Sequence, residues 1–213
     1  MTSVIAQSGN KINLFNTPLV YGIDKNITAA QRKTLEAQEK KRETALREHA
    51  LLVGQNGSVA GAEVNGGSGS CQIPMGWSWK PGAILTHNHP RGSGEDWLIG
   101  GTFSGADLRL FASGKYGAIR ASAAEGTYSI SKNPGFDADG FKKYARSISA
   151  AATKKRNQLL KIAQQDCASN KITYKDYCKA NNKTFNEMLI EVHNGLIAGQ
   201  QKYGYSYALE RRK

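Results

Sequence analysis

His87 and His89 stand one residue apart in the stretch AILTHNHPRGSGEDWLIGGTFSGADL, residues 83 to 108, of a chain with four histidines in all. Alternate residues of an extended segment point to the same side. The two imidazoles therefore project together and can reach one metal ion. A third ligand must come from elsewhere, and Asp107 is the candidate. It falls in the first turn of a predicted helix, where a negative side chain is favoured. Two histidines, one carboxylate and a water make a tetrahedral zinc site with one open position, the pattern of a catalytic rather than a structural site. A bare His-x-His more often marks two surface or half-buried histidines. A strand end, a His-Pro turn and a Ser-x-x-Asp helix start in one stretch are more specific together, and Pro90 stiffens the exit from the strand.

Several elements must position these residues. GAILTHNH reads as a buried strand that ends in the histidines, and SGADLRLFAS as a short helix with Ser104 as its N-cap. Upstream, HALLVG and SVAGAEV flank the turn signal QNG and predict a hairpin, with NGGSGS as the following loop. YGAIRASAAEGTYSI predicts a second hairpin turning at Glu125-Gly126. Residues 27 to 47 hold good helix formers with no Gly or Pro, and Asn26 or Thr28 can cap them. Ile27, Leu35 and Leu46 would form a narrow buried stripe on a surface helix. The order of strands, helix and strands predicts an α/β class with a mixed sheet.

Three regions follow: an extended segment over 1–26, with a short strand at TPLVYGI; a core with its leading helix over 27–135; and a helical region over 136–213. In that last region FKKYARSISAAATKKRNQLLKIAQQ reads as one long helix, followed by TYKDYCKAN and TFNEMLIEVHNGLIAGQQKYG. Phe185, Leu189, Val192 and Leu196 recur at spacings of four, three and four, which sets them on one helical face. His193, on the same helix, reads as packed or exposed. Tyr203, Tyr205 and Tyr207 alternate near the end and fit either a short terminal strand or an interaction tail.

The chain's 213 residues suffice to bury a core. A net charge of +12 favours acidic partners, nucleic acid or anionic surfaces through non-specific attraction. The run Lys154, Lys155, Arg156 reads first as a solvated face. Cys71, Cys167 and Cys178 share no metal-type spacing. An odd count without a secretory signal predicts reduced thiols and a cytoplasmic location, and no apolar run approaches membrane-spanning length.

THNHP followed by FSGAD resembles the signature of the JAMM metalloproteases, also called JAB or MPN+ domains: His-x-His-Pro, a short loop, then Ser-x-x-Asp. The HNHP form also resembles the bacterial RadC branch and JAB-like domains of phage and toxin proteins. The resemblance covers about residues 48 to 130 and implies a cytidine-deaminase-like mixed sheet flanked by helices, with a C-terminal helical extension. It implies zinc held by His87, His89 and Asp107. It also implies an upstream glutamate at a strand start as general base, for which REHALLVG offers Glu48. Glu63 is the runner-up, Glu43 reads as solvated, and His49, on the opposite strand face, reads as structural. Carried over from the family, Ser104 would donate to the developing oxyanion, besides or instead of capping its helix. Removing EDWLIGG, Glu95 to Gly101, restores the family spacing, so this segment reads as an insertion beside the metal. Its Trp97, Leu98 and Ile99 would line a substrate groove, act as a lid, or pack on a neighbour.

The expected function is therefore a zinc-dependent hydrolase acting on a peptide or isopeptide bond of a protein or peptide substrate, such as a ubiquitin-like conjugate. The alternatives are a non-catalytic, DNA-associated binding module and a phage morphogenesis protein that keeps the domain.

Overall fold

A computed structural model describes residues 6–8, 11–13, 19–42, 45–60, 63–67, 70–74, 77, 82–90, 101–123 and 125–211. Strands β1 (Ala6–Ser8) and β2 (Lys11–Asn13) pair with each other as an antiparallel hairpin. Helix α1 (Ala29–Lys41) leads into β3 (His49–Val53), β4 (Val64–Asn65) and β5 (Ile84–Asn88). Then come α2 (Gly105–Ala112), β6 (Ala118–Ala123), β7 (Gly126–Lys132), α3 (Ala138–Ala168), α4 (Tyr174–Tyr203) and β8 (Tyr205–Glu210). Strands β3 to β8 form one six-stranded sheet in the order β4-β3-β5-β6-β7-β8. Only β5 and β6 run parallel, and α2 is the crossover that such a pair requires. The α/β class with a mixed sheet is as the sequence indicates.

The two faces of the sheet bury different things, because side chains alternate along each strand. On one face Leu51, Val53, Ile84 and Ala118 pack with Ile27 and Leu35 under α1. On the other, Ala50, Leu52, Leu85, Ile119 and Ala121 join Leu108 and Phe111 of α2, Phe141 of α3 and Leu196 of α4. The pairing Ala50↔His87 puts His87 on this second face. The histidine is buried there because the strand carries it into the helical layer.

Local signals account for most boundaries. Thr28 caps α1 in a box with Gln31, and Ser104 caps α2 in a box with Asp107. Gly57, at φ 80°, makes the turn after β3, where Gly54 and Ser58 close the loop. The turn at Glu125-Gly126 joins β6 and β7 as predicted.

Five expectations need correction. Helix α1 stops at Lys41 rather than Arg47, with Arg42 as its C-cap, so Leu46 lies past the helix and is 76 % exposed. The stripe that faces the sheet is Gln31, Leu35 and Glu39. The two C-terminal helical segments are one helix, α4, of 30 residues. Region 136–213 is not helical throughout, because β8 pairs with β7 along its whole length and completes the sheet. Residues 19 to 23 form no strand, although Leu19 is buried and the Gly22 N–H donates to the Leu209 carbonyl. Val192 and Leu196 are buried on α4, while Phe185 lies half-buried under the Arg156 guanidinium. Among the described residues, no helix is long and apolar enough to cross a membrane.

Candidate metal centre

Strand β5 ends where the site begins. His87 and His89 project from it to the same side, and their Nε2 atoms lie 3.1 Å apart. Asp107, in the first turn of α2, places Oδ1 3.3 Å from His87 Nε2 and Oδ2 3.8 Å from His89 Nε2. With one ligand atom from each residue, the three lie within 4.8 Å of one another. Ligands about 2.0 Å from a tetrahedral zinc stand about 3.3 Å from each other. Two imidazole nitrogens and a carboxylate oxygen at these separations fit such an ion, and the donor types suit zinc without identifying it.

His89 and Asp107 are each held by a partner outside the cluster. His89 Nδ1 donates to the Gly101 carbonyl at 3.0 Å. That bond fixes the tautomer of a neutral ring and turns Nε2 toward the cluster. Gly101 can offer its carbonyl because it sits at φ 73°, and a Cβ there would lie 2.5 Å from Leu189 Cδ1 of α4. Asp107 Oδ2 accepts from the Ser104 N–H at 2.8 Å and from the Ser104 hydroxyl at 2.7 Å. The Asp107 N–H in turn donates to Ser104 Oγ at 3.2 Å. The capping box thus occupies Oδ2 and leaves Oδ1 toward His87.

The electrostatics follow from crowding opposite charges in a partly dry place. Burial pushes the Asp107 carboxyl up, but the charge and hydrogen bond of His87, the charge of His89 and the Ser104 hydroxyl hold it well below the usual carboxylate range. Burial pulls His87 down, but Asp107, Glu48 and the Arg120 backbone carbonyl raise it above its ordinary value.

Glu48 directly precedes β3 and is half-buried. Its backbone is tied to the neighbouring loop: its N–H donates to the Gly67 carbonyl, and its carbonyl accepts from the Gly66 N–H, both at 2.7 Å. By alternation it shares the sheet face of Ala50, and so of His87. Burial raises the Glu48 carboxyl, the charge of His87 and a 3.5 Å hydrogen bond from Cys71 Sγ lower it, and the nearby Asp107 adds to the rise. Burial beside Glu48 pushes the Cys71 thiol up to about 12.

The other glutamate considered, Glu63, is exposed and pairs with Arg42 at 2.7 Å and with His49 at 3.1 Å. His49 Nδ1 also lies 2.7 Å from Asn65 Oδ1. Glu43 lies outside the described residues, as do Trp97, Leu98 and Ile99 and all of the expected insertion except Gly101. Sequence reasoning passed over Gly101 and Cys71. Gly101 reads as a mere flexible end, since nothing local tells that its carbonyl meets a histidine. Cys71 reads as one of three unrelated thiols. Comparison of the chain with known protein families, curated proteins and solved structures gives no match.

Proposed function

We propose that the chain is a zinc-dependent hydrolase of the JAMM type, with a JAB/MPN-like core, that cleaves a peptide or isopeptide bond. The observation that carries this reading is the convergence of His87, His89 and Asp107 with Glu48 on the same sheet face. The sequence of elements supports it as well. A His-x-His strand is followed by a helix opening in Ser-x-x-Asp, and that helix crosses to a parallel neighbour strand.

His87, His89 and Asp107 would hold the ion. When bound, zinc would polarise the scissile carbonyl and make a water acidic enough to attack at neutral pH. Glu48 would accept the proton released as the water oxygen bonds to the carbonyl carbon. It would deliver that proton to the nitrogen as the C–N bond breaks, so that a carboxylic acid and an amine leave and Glu48 returns to its starting state. Ser104 would turn its hydroxyl from Asp107 Oδ2 to the developing oxyanion.

The test pairs metal analysis with an activity panel. Purified protein should hold about one zinc per chain, and His87→Ala or Asp107→Ala should lose most of it. Wild type should cleave a member of a panel of ubiquitin-like conjugates and peptides. Glu48→Gln should keep its zinc and lose roughly a hundredfold or more in turnover. No zinc after supplementation, measured by elemental analysis, would refute the reading.

A further inference from the structure

The residue between the two histidines points away from them and does something else. Asn88 is 2 % exposed. Its Oδ1 accepts from the His49 N–H at 2.7 Å, and its Nδ2 donates to the Arg47 carbonyl at 3.0 Å. Arg47 and His49 are the two neighbours of Glu48. One side chain on the metal-bearing strand thus grips the backbone on both sides of the glutamate that faces the metal site.

The ladder shows why a side chain is needed there. Strands β3 and β5 pair from Val53↔Ile84 to Ala50↔His87, and continuing that register would set His49 opposite Asn88. The backbone ladder stops one step short. Beyond it β5 turns to its other neighbour, and the His89 N–H donates to the Ser122 carbonyl at 2.7 Å. The two strands part at the mouth of the site, and the Asn88 amide spans the gap in place of two backbone groups. An amide is suited to this because it carries an acceptor and donors on one short stem. Alanine would leave the His49 N–H and the Arg47 carbonyl without these partners.

We infer that Asn88 is a positioning residue that fixes the distance between Glu48 and the histidine pair. It ties the proton carrier to the strand that carries the metal ligands, so that the two move as one body. The chemistry needs that link, since a displacement of about 1 Å in a reacting group can cost on the order of a hundredfold in rate. The inference rests on the role proposed for Glu48, but the clamp itself is readable without any substrate.

The experiment uses the full chain loaded with zinc, as wild type, Asn88→Ala and Asn88→Asp. Asn88→Asp keeps an acceptor for the His49 N–H and loses the donor to the Arg47 carbonyl. Amide hydrogen exchange at His49, followed by NMR, should quicken about tenfold or more in Asn88→Ala, with Leu51 and Val53 unchanged. Exchange at His49 should stay close to wild type in Asn88→Asp. A crystal structure of zinc-loaded Asn88→Ala should show the Glu48 carboxylate displaced by about 1 Å or more from its wild-type place, with zinc content unchanged. On any substrate found for the wild type, kcat should fall about tenfold to a hundredfold at constant KM. An unmoved Glu48 in an Asn88→Ala protein that folds and binds zinc would overturn the inference, whether or not His49 exchange changes. Failure of the hydrolase reading is distinct: wild type would then bind no zinc or cleave nothing, while exchange and the position of Glu48 still report on the clamp.

Discussion

Ser104 shows how one hydroxyl can serve the fold and the site together. It caps α2, and it holds the Asp107 oxygen that does not face His87. An N-cap serine replaced by alanine costs about 1 kcal/mol. Loss of a hydrogen-bond partner behind a metal ligand commonly costs tenfold to a hundredfold in affinity. Ser104→Ala should therefore lower the melting temperature by a few degrees and weaken zinc binding about tenfold, as read by calorimetry and by competition with a chelator. Gly101 is the matching case behind His89. Gly101→Val would force a branched side chain onto φ 73° and into Leu189, and it should weaken zinc binding by tenfold to a hundredfold. Normal zinc affinity in Gly101→Val would show that the His89–carbonyl bond does not orient the ring.

At the scale of elements, α1 is held to the sheet by a buried ion pair as well as by apolar packing. Glu39 of α1 accepts from Arg120 Nε at 2.7 Å and from Nη2 at 2.9 Å, and Thr86 donates to the same carboxylate. Arg120 Nη2 also reaches Glu210 on β8 at 2.9 Å. Removing one member of a buried pair costs about 3 to 5 kcal/mol where the remaining charge is left alone, and because Arg120 keeps Glu210 that range is an upper bound here. Glu39→Ala should lose stability of up to that order in denaturant titrations, and Arg120→Met combined with Glu39→Leu should recover much of it, with His87, His89 and Asp107 untouched in both. Equal stability of the two variants would show that the charges contribute little beyond packing.

The same helix marks what could be read in the sequence. The His-x-His strand was legible because a period of two fixes its faces, and the starts of α1 and α2 were legible because their capping residues are local. Glu39 was not, since its partner Arg120 lies 81 positions away and an isolated Glu in a charged helix looks solvated. The unbroken course of α4 was hidden by Asn181 and Asn182, poor helix formers that the long contact with α3 overrides. The place of β8 was hidden because strand pairing with β7 is a long-range event. The family resemblance singles out Glu48, but the clamp beside it belongs to a residue that alternation turns away from the site. What the sequence left out is in each case a contact between residues distant along the chain.

Across the whole molecule, one buried polar chain joins the C-terminal layer to the loop that enters α2. His193 Nδ1 on α4 lies 2.8 Å from the Tyr207 hydroxyl on β8, which lies 2.8 Å from Thr102 Oγ1 just before the cap of α2. Burial lowers the His193 pKa from 6.5 to about 4. The rings packed against it are Tyr128 and Tyr207, phenols that burial holds well above their ordinary range, and the Glu125 carboxylate accepts from the Tyr128 hydroxyl. Neither neutral phenol compensates a protonated imidazole, and burial is what lowers the His193 pKa. The sign follows from proton counts. Between pH 6.5 and about 4 the unfolded chain carries a proton on this residue that the folded chain does not, so stability rises with pH through that window. The contribution is complete above pH 6.5, and about 3 kcal/mol is lost by the time pH falls through the folded pKa. His193→Phe removes the titration and keeps an aromatic ring, while giving up the bond to Tyr207. Its unfolding free energy, measured in denaturant at intervals from pH 7.5 to 4 with metal chelated throughout, should fall less steeply on acidification than that of wild type. Parallel curves for the two proteins would mean that His193 accepts its proton without opening the junction between α4, β8 and α2.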